Sequence, residues 1–176
     1  MKPKGQLKYP APGVQVTAGV IKGRVRFWRV VEGRWNSVKA VEMYKALEKA
    51  MAKAFPDHAA RRRAKWIILE DNDPFGYEST VAQATKEELG MRVMSLPPRS
   101  PDLNVLDYSL WHEINKRLRS QESTFPKNKK ESKAEFLRRL RRVALSLPPR
   151  LVGKSVRSMR RRCKAIEANG GYLIDE

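Results

Sequence analysis

Two aspartates in this 176-residue chain stand where a charge needs a reason. Asp71 follows the apolar run WIIL at 66–69, in the stretch WIILEDNDP. Asp107 lies in SPDLNVLDYSLW at 100–111, which begins with a chain breaker and continues as a helix. At about 100° per helical residue, the side chains within about 60° of Asp107 are Leu103, Leu110, Trp111, Ile114 and Leu118. The carboxylate therefore falls in the middle of the apolar stripe. An ionised group shielded by Leu110, Trp111 and Ile114 is costly unless a cation or a donor compensates it.

Two carboxylates brought together can hold a divalent cation. Magnesium takes oxygen ligands, commonly one or two carboxylates completed by water and substrate phosphate. Two such ions roughly 3.5 to 4 Å apart activate a water or a sugar hydroxyl and stabilise the leaving oxygen in a phosphodiester displacement. Ordinary readings stand beside this one. With Asn104 as N-cap, Asp107 takes the N3 position, where an acid suits the helix dipole. Asp71, Asn72 and Asp73 before Pro74 make a common turn. His58 and His112 have no Cys or Glu at zinc spacing. Glu70 points to the opposite sheet face from Asp71, and Asp102 reads as a cap. The glycines near the end, in NGG, suit a helix C-cap and not a phosphate loop.

The elements that must position Asp71 and Asp107 follow from the pattern. Residues 14–31 read as a β-hairpin turning at Lys22-Gly23. Asn36 and Ser37 start a helix to about Phe55, whose Val38, Val41, Tyr44, Leu47 and Met51 cover one sheet face. The run WIIL reads as a strand buried on both faces. A helix over 78–89, a strand in MRVMSL and the Asp107 helix to about Ser120 follow, then helices over 131–146 and 150–168. Strands alternating with helices indicate an α/β layer fold with a central sheet. The pentapeptide SLPPR occurs at 95–99 and 146–150, each time opening a helix, and reads as punctuation and not as a repeat.

The net charge of +18 is concentrated. Residues 116–164 hold eighteen Lys and Arg against three acids, and the last twelve residues are net negative by three. Such a field attracts a polyanion, with nucleic acid first, because each neutralised phosphate releases counterions. A membrane surface fits less well, since little Phe or Trp opposes the basic faces. The start has no apolar signal-peptide core, and no run approaches a membrane span. Cys163 has no second cysteine to pair with, which suits a reducing, intracellular setting.

LEDNDP followed by LPPRSPDLNVLDYSLW resembles the catalytic core of the mariner-type transposases of the DDE/DDD superfamily. In that family an Asp-Asn after a buried strand supplies the second catalytic carboxylate. A Ser-Pro-Asp-Leu-Asn segment then leads into a helix bearing the third. The matching positions are Asp71 and Asp107, with 35 residues between them. The resemblance runs from the VTAGVI hairpin to the NGGYL tail.

It implies a ribonuclease-H-like mixed sheet flanked by helices, with residues 1–120 as a partial core and 121–176 as a basic helical part of the same domain. It implies Asp71 and Asp107 as catalytic metal ligands, Mg2+ or Mn2+ with two ions in the complete site, and DNA cleavage and strand transfer. The implied partners are DNA, as transposon ends and target, and a second copy in a homodimer, with no small-molecule substrate. The implied location is the nucleus in a eukaryote, or otherwise wherever the DNA is. The residues expected to track phosphates are Arg99, Lys116, Arg117, Arg138, Arg139, Arg141, Arg142, Arg160, Arg161 and Arg162.

There are two departures. The chain lacks the His that many members carry shortly after the Asp-Asn. No acid precedes Val14 to match the family's first catalytic Asp, which sits on a strand before the hairpin. The expectation is a catalytic domain truncated at its N-terminus and inactive by itself. The alternative is a non-enzymatic nucleic-acid-binding remnant or domesticated protein that uses the basic helices.

Overall fold

Lys22 and Gly23 both adopt left-handed backbone, with φ of 51° and 65°. That pair turns the chain so that β1 (Gln15–Ile21) and β2 (Arg24–Val31) pair antiparallel, with Ile21 opposite Arg24 and Gln15 opposite Val31. Primed turns of this kind match the natural twist of a hairpin. The computed structural model describes residues 13–57, 66–71, 73–94, 96–97, 99–126, 131–172 and 174. His58, set aside above as a zinc ligand, lies outside these.

The hairpin is covered on both faces. On one side lies α1 (Ser37–Ala54), started by the Asn36 side chain accepting from the Lys39 N–H at 3.1 Å. Its Met43, Tyr44, Leu47 and Met51 pack with Ile21 and Phe27, joined by Ala82 of α2 (Thr80–Glu88) and Met91 of β4 (Met91–Met94). On the other side Val25 of β2 packs against a second cluster, built from Leu110 and from α3 (Trp111–Glu122), α4 (Lys133–Leu145) and α5 (Pro149–Ala168). Leu110, Ile114, Leu118 and Val152 are almost wholly buried there. Trp28 of β2 meets Trp111 edge to face, with ring centroids 6.1 Å apart.

β3 (Trp66–Leu69) pairs in parallel with β4, with Trp66 opposite Met91 and Leu69 opposite Met94. Among the described residues the two ladders remain separate two-stranded sheets, β1 with β2 and β3 with β4. A cavity of about 510 Å³ lies between them, lined by 16–22 of β1 and by 67–71 at the end of β3. This corrects the expectation that WIIL is buried on both faces. Ile67 is 60% exposed and Leu69 37%, because only Ile68 of the three packs against the α1 core and no second cluster covers the other face of the strand among the described residues.

The helix ends follow local chemistry. Ser79 caps α2 and Ser132 opens α4 in a capping box with Glu135. Pro149 occupies the first turn of α5, as the second SLPPR predicts. Gly170 and Gly171 take positive φ, and the Gly171 N–H closes back on the Ile166 carbonyl at 2.9 Å. Asp102 is corrected from cap to tether. It makes no cap bond for the short 3-10 turn Pro101–Leu103, and its Oδ2 accepts from the Ile174 N–H at 3.0 Å.

Arg139 is also corrected. Its helix face turns into the second core, so it is only 5% exposed and does not join a phosphate-tracking surface. Nε and one NH2 nitrogen of its guanidinium grip both oxygens of Glu131 at 2.8 and 2.6 Å, and that nitrogen also reaches Glu122 at 2.9 Å. Nη1 donates to the Leu118 carbonyl at 3.3 Å, which ties α3 to α4. Arg139→Met leaves Glu131 and Glu122 without their countercharge in a dry place. It should cost about 3–5 kcal/mol, read as a lower urea midpoint at unchanged slope.

Candidate metal site and nucleic-acid face

Asp71 stands two residues beyond the end of β3, and its neighbours hold the chain there. Two residues on, Asp73 Oδ2 accepts from the Trp35 indole Nε1–H at 2.7 Å and from the Gly76 N–H at 2.7 Å. A Cβ at Gly76 would collide with the Trp35 indole, so glycine is required for that clamp. One residue back, Glu70 turns to the opposite side, toward α1 and α2, as the alternation of a strand demands. Neither the Trp35–Asp73–Gly76 clamp nor the Glu70 contacts announce themselves in the sequence, since each joins residues distant along the chain.

Asp107 enters on a different element. Asn104 Oδ1 accepts from the Leu106 N–H at 3.1 Å, and the Asp107 N–H bonds the Asn104 carbonyl at 2.9 Å. The chain then makes one wide turn over Leu106–Leu110, in which the Trp111 N–H reaches back to the Leu106 carbonyl, before continuing as α3. Such π turns recur at functional sites. This turn is fastened to α5: Tyr108 OH donates to the Ser155 carbonyl at 2.7 Å, and the Ser109 and Ser155 hydroxyls lie 2.7 Å apart. Arg162 lies over the Tyr108 ring at 3.9 Å.

The wide turn overturns one expectation. Asp107 is exposed and not shielded by Leu110, Trp111 and Ile114. An extra residue in the turn breaks the 100° register assumed for an unbroken helix, so Leu110 and Ile114 go to the core while the carboxylate stays on the surface.

Asp71 and Asp107 meet at one place. Both line the cavity between β1 and β3, and both line an adjoining cavity of about 400 Å³ bounded by Leu96, Pro97, Arg99, Ser100, Pro101 and Asn104. Arg99 stands there with left-handed backbone, at φ 57°, an uncommon conformation for a residue with a side chain. Asp107 titrates above the ordinary carboxylate range, first because the cleft walls strip water from it and then because Asp71 is near; its bond with Asn104 works the other way. Asp71 is raised too, by burial and then by Asp73, against a bond from its own backbone. Both side chains still reach solvent, so the rise reflects a concave setting and not a sealed one. Among the described residues no cluster of three metal-type ligands forms.

The basic residues divide. Arg99, Lys116, Arg138, Arg141, Arg142, Arg160 and Arg161 are exposed. Arg117 is half-buried and pairs with Glu113 at 2.6 Å. Arg162 joins Arg139 as a correction: it is 5% exposed, its plane taken by the Tyr108 ring, and it does not belong to the solvent-facing basic set. No described helix is long and apolar enough to cross a membrane.

No family model matches the chain. In sequence it is similar to the transposable element Tcb1 transposase of Caenorhabditis briggsae, 29% identical over 107 residues, covering 61% of this chain and 36% of that protein. The chain thus spans little more than a third of the length of that relative. In structure it superposes on the Mos1 transposase catalytic domain with a TM-score of 0.76 at 16% identity, covering 92% of this chain and 78% of the other. Against a pre-cleavage Mos1 transpososome the TM-score is 0.79 at 16% identity, with 97% of this chain and 48% of the other covered. The architecture is a mixed α/β fold of the ribonuclease-H-like class. The likeness in sequence is thus to a Tc1-type transposase and the likeness in fold to the Mos1 catalytic domain.

The raised carboxyls set a pH dependence for the metal-free protein. A carboxyl whose folded pKa lies above its unfolded value favours folding while protonated. That stability is complete below the unfolded pKa of about 3.9 and is lost as pH rises through the folded value. Asp107→Asn removes the charge, so it should melt higher than the parent at pH 7 in low salt. The difference should vanish as both are acidified to the lower bound, which calorimetry at several pH values checks.

Proposed function

We propose that this chain forms the metal-holding and DNA-gripping part of a transposase catalytic domain, working by two-metal phosphodiester chemistry. The observation that carries this reading is the convergence of Asp71 and Asp107, from the end of a strand and from the π turn before α3, on one open cleft. Their hard carboxylate oxygens fit Mg2+ or Mn2+, and a cation would offset the lost water and the nearby Asp71 charge that raise Asp107. When bound, such ions supply an activated water or 3′-hydroxyl and stabilise the leaving oxygen. The Mos1 catalytic domain was solved with Mn and with Mg, and Mos1 also as a paired-end complex, which supports metal use, DNA as partner and assembly in pairs here.

A third carboxylate has its natural seat in the gap between β1 and β3. Within the described residues β1 and β3 each pair on one edge only, and both line the intervening cavity. Thr17 Oγ1 of β1 is buried there without a hydrogen-bond partner among the described residues. A strand inserted in the gap satisfies free edges and joins the two sheets into one.

The second reading, nucleic-acid binding without cleavage, is favoured by the lack of a third ligand among the described residues and by the exposed arginines of α4 and α5. In a eukaryotic cell either activity belongs in the nucleus.

Two measurements separate the readings. With Mn2+ and a strand-forming segment that ends in Asp, fused ahead of residue 14 or added as a peptide, the protein should nick supercoiled DNA. Asp107→Ala should reduce nicking by about a hundredfold or more. Duplex binding should weaken steeply between 50 and 200 mM salt, as phosphate contacts require, and survive Asp71→Asn with Asp107→Asn. Nicking undiminished by Asp107→Ala sinks the enzymatic reading, and salt-independent binding sinks the other.

A further inference from the structure

Behind the cleft lies a set of buried polar groups that the proposed chemistry does not use. Glu70 precedes Asp71 and borders the same cavity, but its carboxylate is turned to α1 and α2. Both of its oxygens are engaged: Oε1 takes the Lys86 ammonium of α2 at 2.8 Å, and Oε2 accepts from the Tyr44 hydroxyl of α1 at 2.6 Å. Lys86 is 2% exposed, donates also to the Tyr77 carbonyl at 3.1 Å, and lies 5.2 Å from the centre of the Tyr44 ring. One carboxylate at the tip of β3 therefore ties together α1, α2 and the loop that follows Asp71.

Stability alone does not account for this arrangement. A buried ion pair is often no more stabilising than well-packed apolar side chains of the same volume, because both charges give up water. An apolar pair leaves the strand end free to rotate and slide. A carboxylate held at both oxygens does not, and the residue after it must leave the strand in the opposite direction.

The far side of Asp71 is fixed as well, by the bonds of Asp73 to Trp35 and Gly76. The two anchors are joined by rings packed at steep angles: the Trp35 and Tyr77 centroids lie 5.1 Å apart, edge to face, and those of Tyr77 and Tyr44 6.0 Å apart. Glu70 and Asp73 have their carboxylate oxygens bonded within the protein, while Asp71 between them lines both cavities with Asp107.

We propose that Glu70, Lys86 and Tyr44 are positioning residues, a buried charge network on the far side of β3 that aims the Asp71 carboxylate at the metal. This rests on the reading of Asp71 and Asp107 as metal ligands. Groups that orient a ligand from behind typically affect metal affinity about 10- to 100-fold when removed.

The test is Mn2+ binding by the full chain, with Mn2+ as the only added ligand, read from the electron paramagnetic resonance of the free ion, alongside thermal melting. Glu70→Leu with Lys86→Met replaces the pair by apolar groups of similar size. It should keep the melting temperature while weakening Mn2+ binding about tenfold. Glu70→Gln with Lys86→Gln restores a hydrogen bond across the same gap and should recover most of the affinity. Tyr44→Phe, which keeps the ring and removes one bond, should cost about threefold. Unchanged Mn2+ affinity in the folded Leu/Met variant overturns the proposal, and if that variant does not fold, unchanged affinity in Tyr44→Phe does so. Mn2+ affinity indifferent to Asp71→Asn overturns the metal site itself, and the positioning role with it.

Discussion

The hairpin of β1 and β2 must be buried on both faces, and the rest of the chain is arranged by that requirement. Its apolar side chains alternate between two clusters, one closed by α1, α2 and β4 and the other by α3, α4 and α5. At roughly 25 cal/mol per Å² of apolar surface removed from water, covering both faces outweighs any single polar contact in the molecule. It also decides where the carboxylates go. Asp71 belongs to the layer on one side of the hairpin and Asp107 to the layer on the other, so they meet where the two layers come together, beside the gap between β1 and β3.

Charge is sorted by the same packing. Of the many Lys and Arg, the buried ones described are Lys86, Arg139 and Arg162, and each has a partner suited to a dry place. Lys86 has a carboxylate and a carbonyl, Arg139 has two carboxylates, and Arg162 has an aromatic face. The remaining basic residues of α4 and α5 named above stay in water, where their field reaches a polyanion at a distance set by salt. The acids divide likewise: Glu70, Asp73, Glu122 and Glu131 are bound inward, while Asp71 and Asp107 are left facing each other across open space. A pair of carboxylates with raised pKa values and no ion pair among the described residues is poised for an external cation.

Local signals were legible where a single residue type does a single local job. Lys22-Gly23 turns the hairpin, Asn36 caps α1, Pro149 starts α5, and the glycines after α5 end it. The signals failed where a residue's surroundings come from elsewhere in the chain. WIIL read as doubly buried because four apolar residues in a row look alike whether or not a second layer covers them. Asp107 read as shielded because helical periodicity assumes a uniform turn, and one π turn moved it out. Arg139 and Arg162 were indistinguishable in type and spacing from the exposed arginines beside them, since burial depends on which face the neighbouring helices occupy.

The sequence by itself determined the elements, their order, the acidic pair and the concentration of positive charge, because these depend on residue type and short spacing. It also carried the family likeness, through motifs that lie within a few residues of one another. Only the tertiary structure decided that the pair shares one cleft, that β1 and β3 stand apart with a cavity between them, and that Glu70, Lys86 and Tyr44 lock the strand behind Asp71. Those facts join Glu70 to residues 16 and 26 positions away and bring together aspartates 36 positions apart, and such contacts are set by which faces must leave water together, a property of the whole chain and of no segment of it.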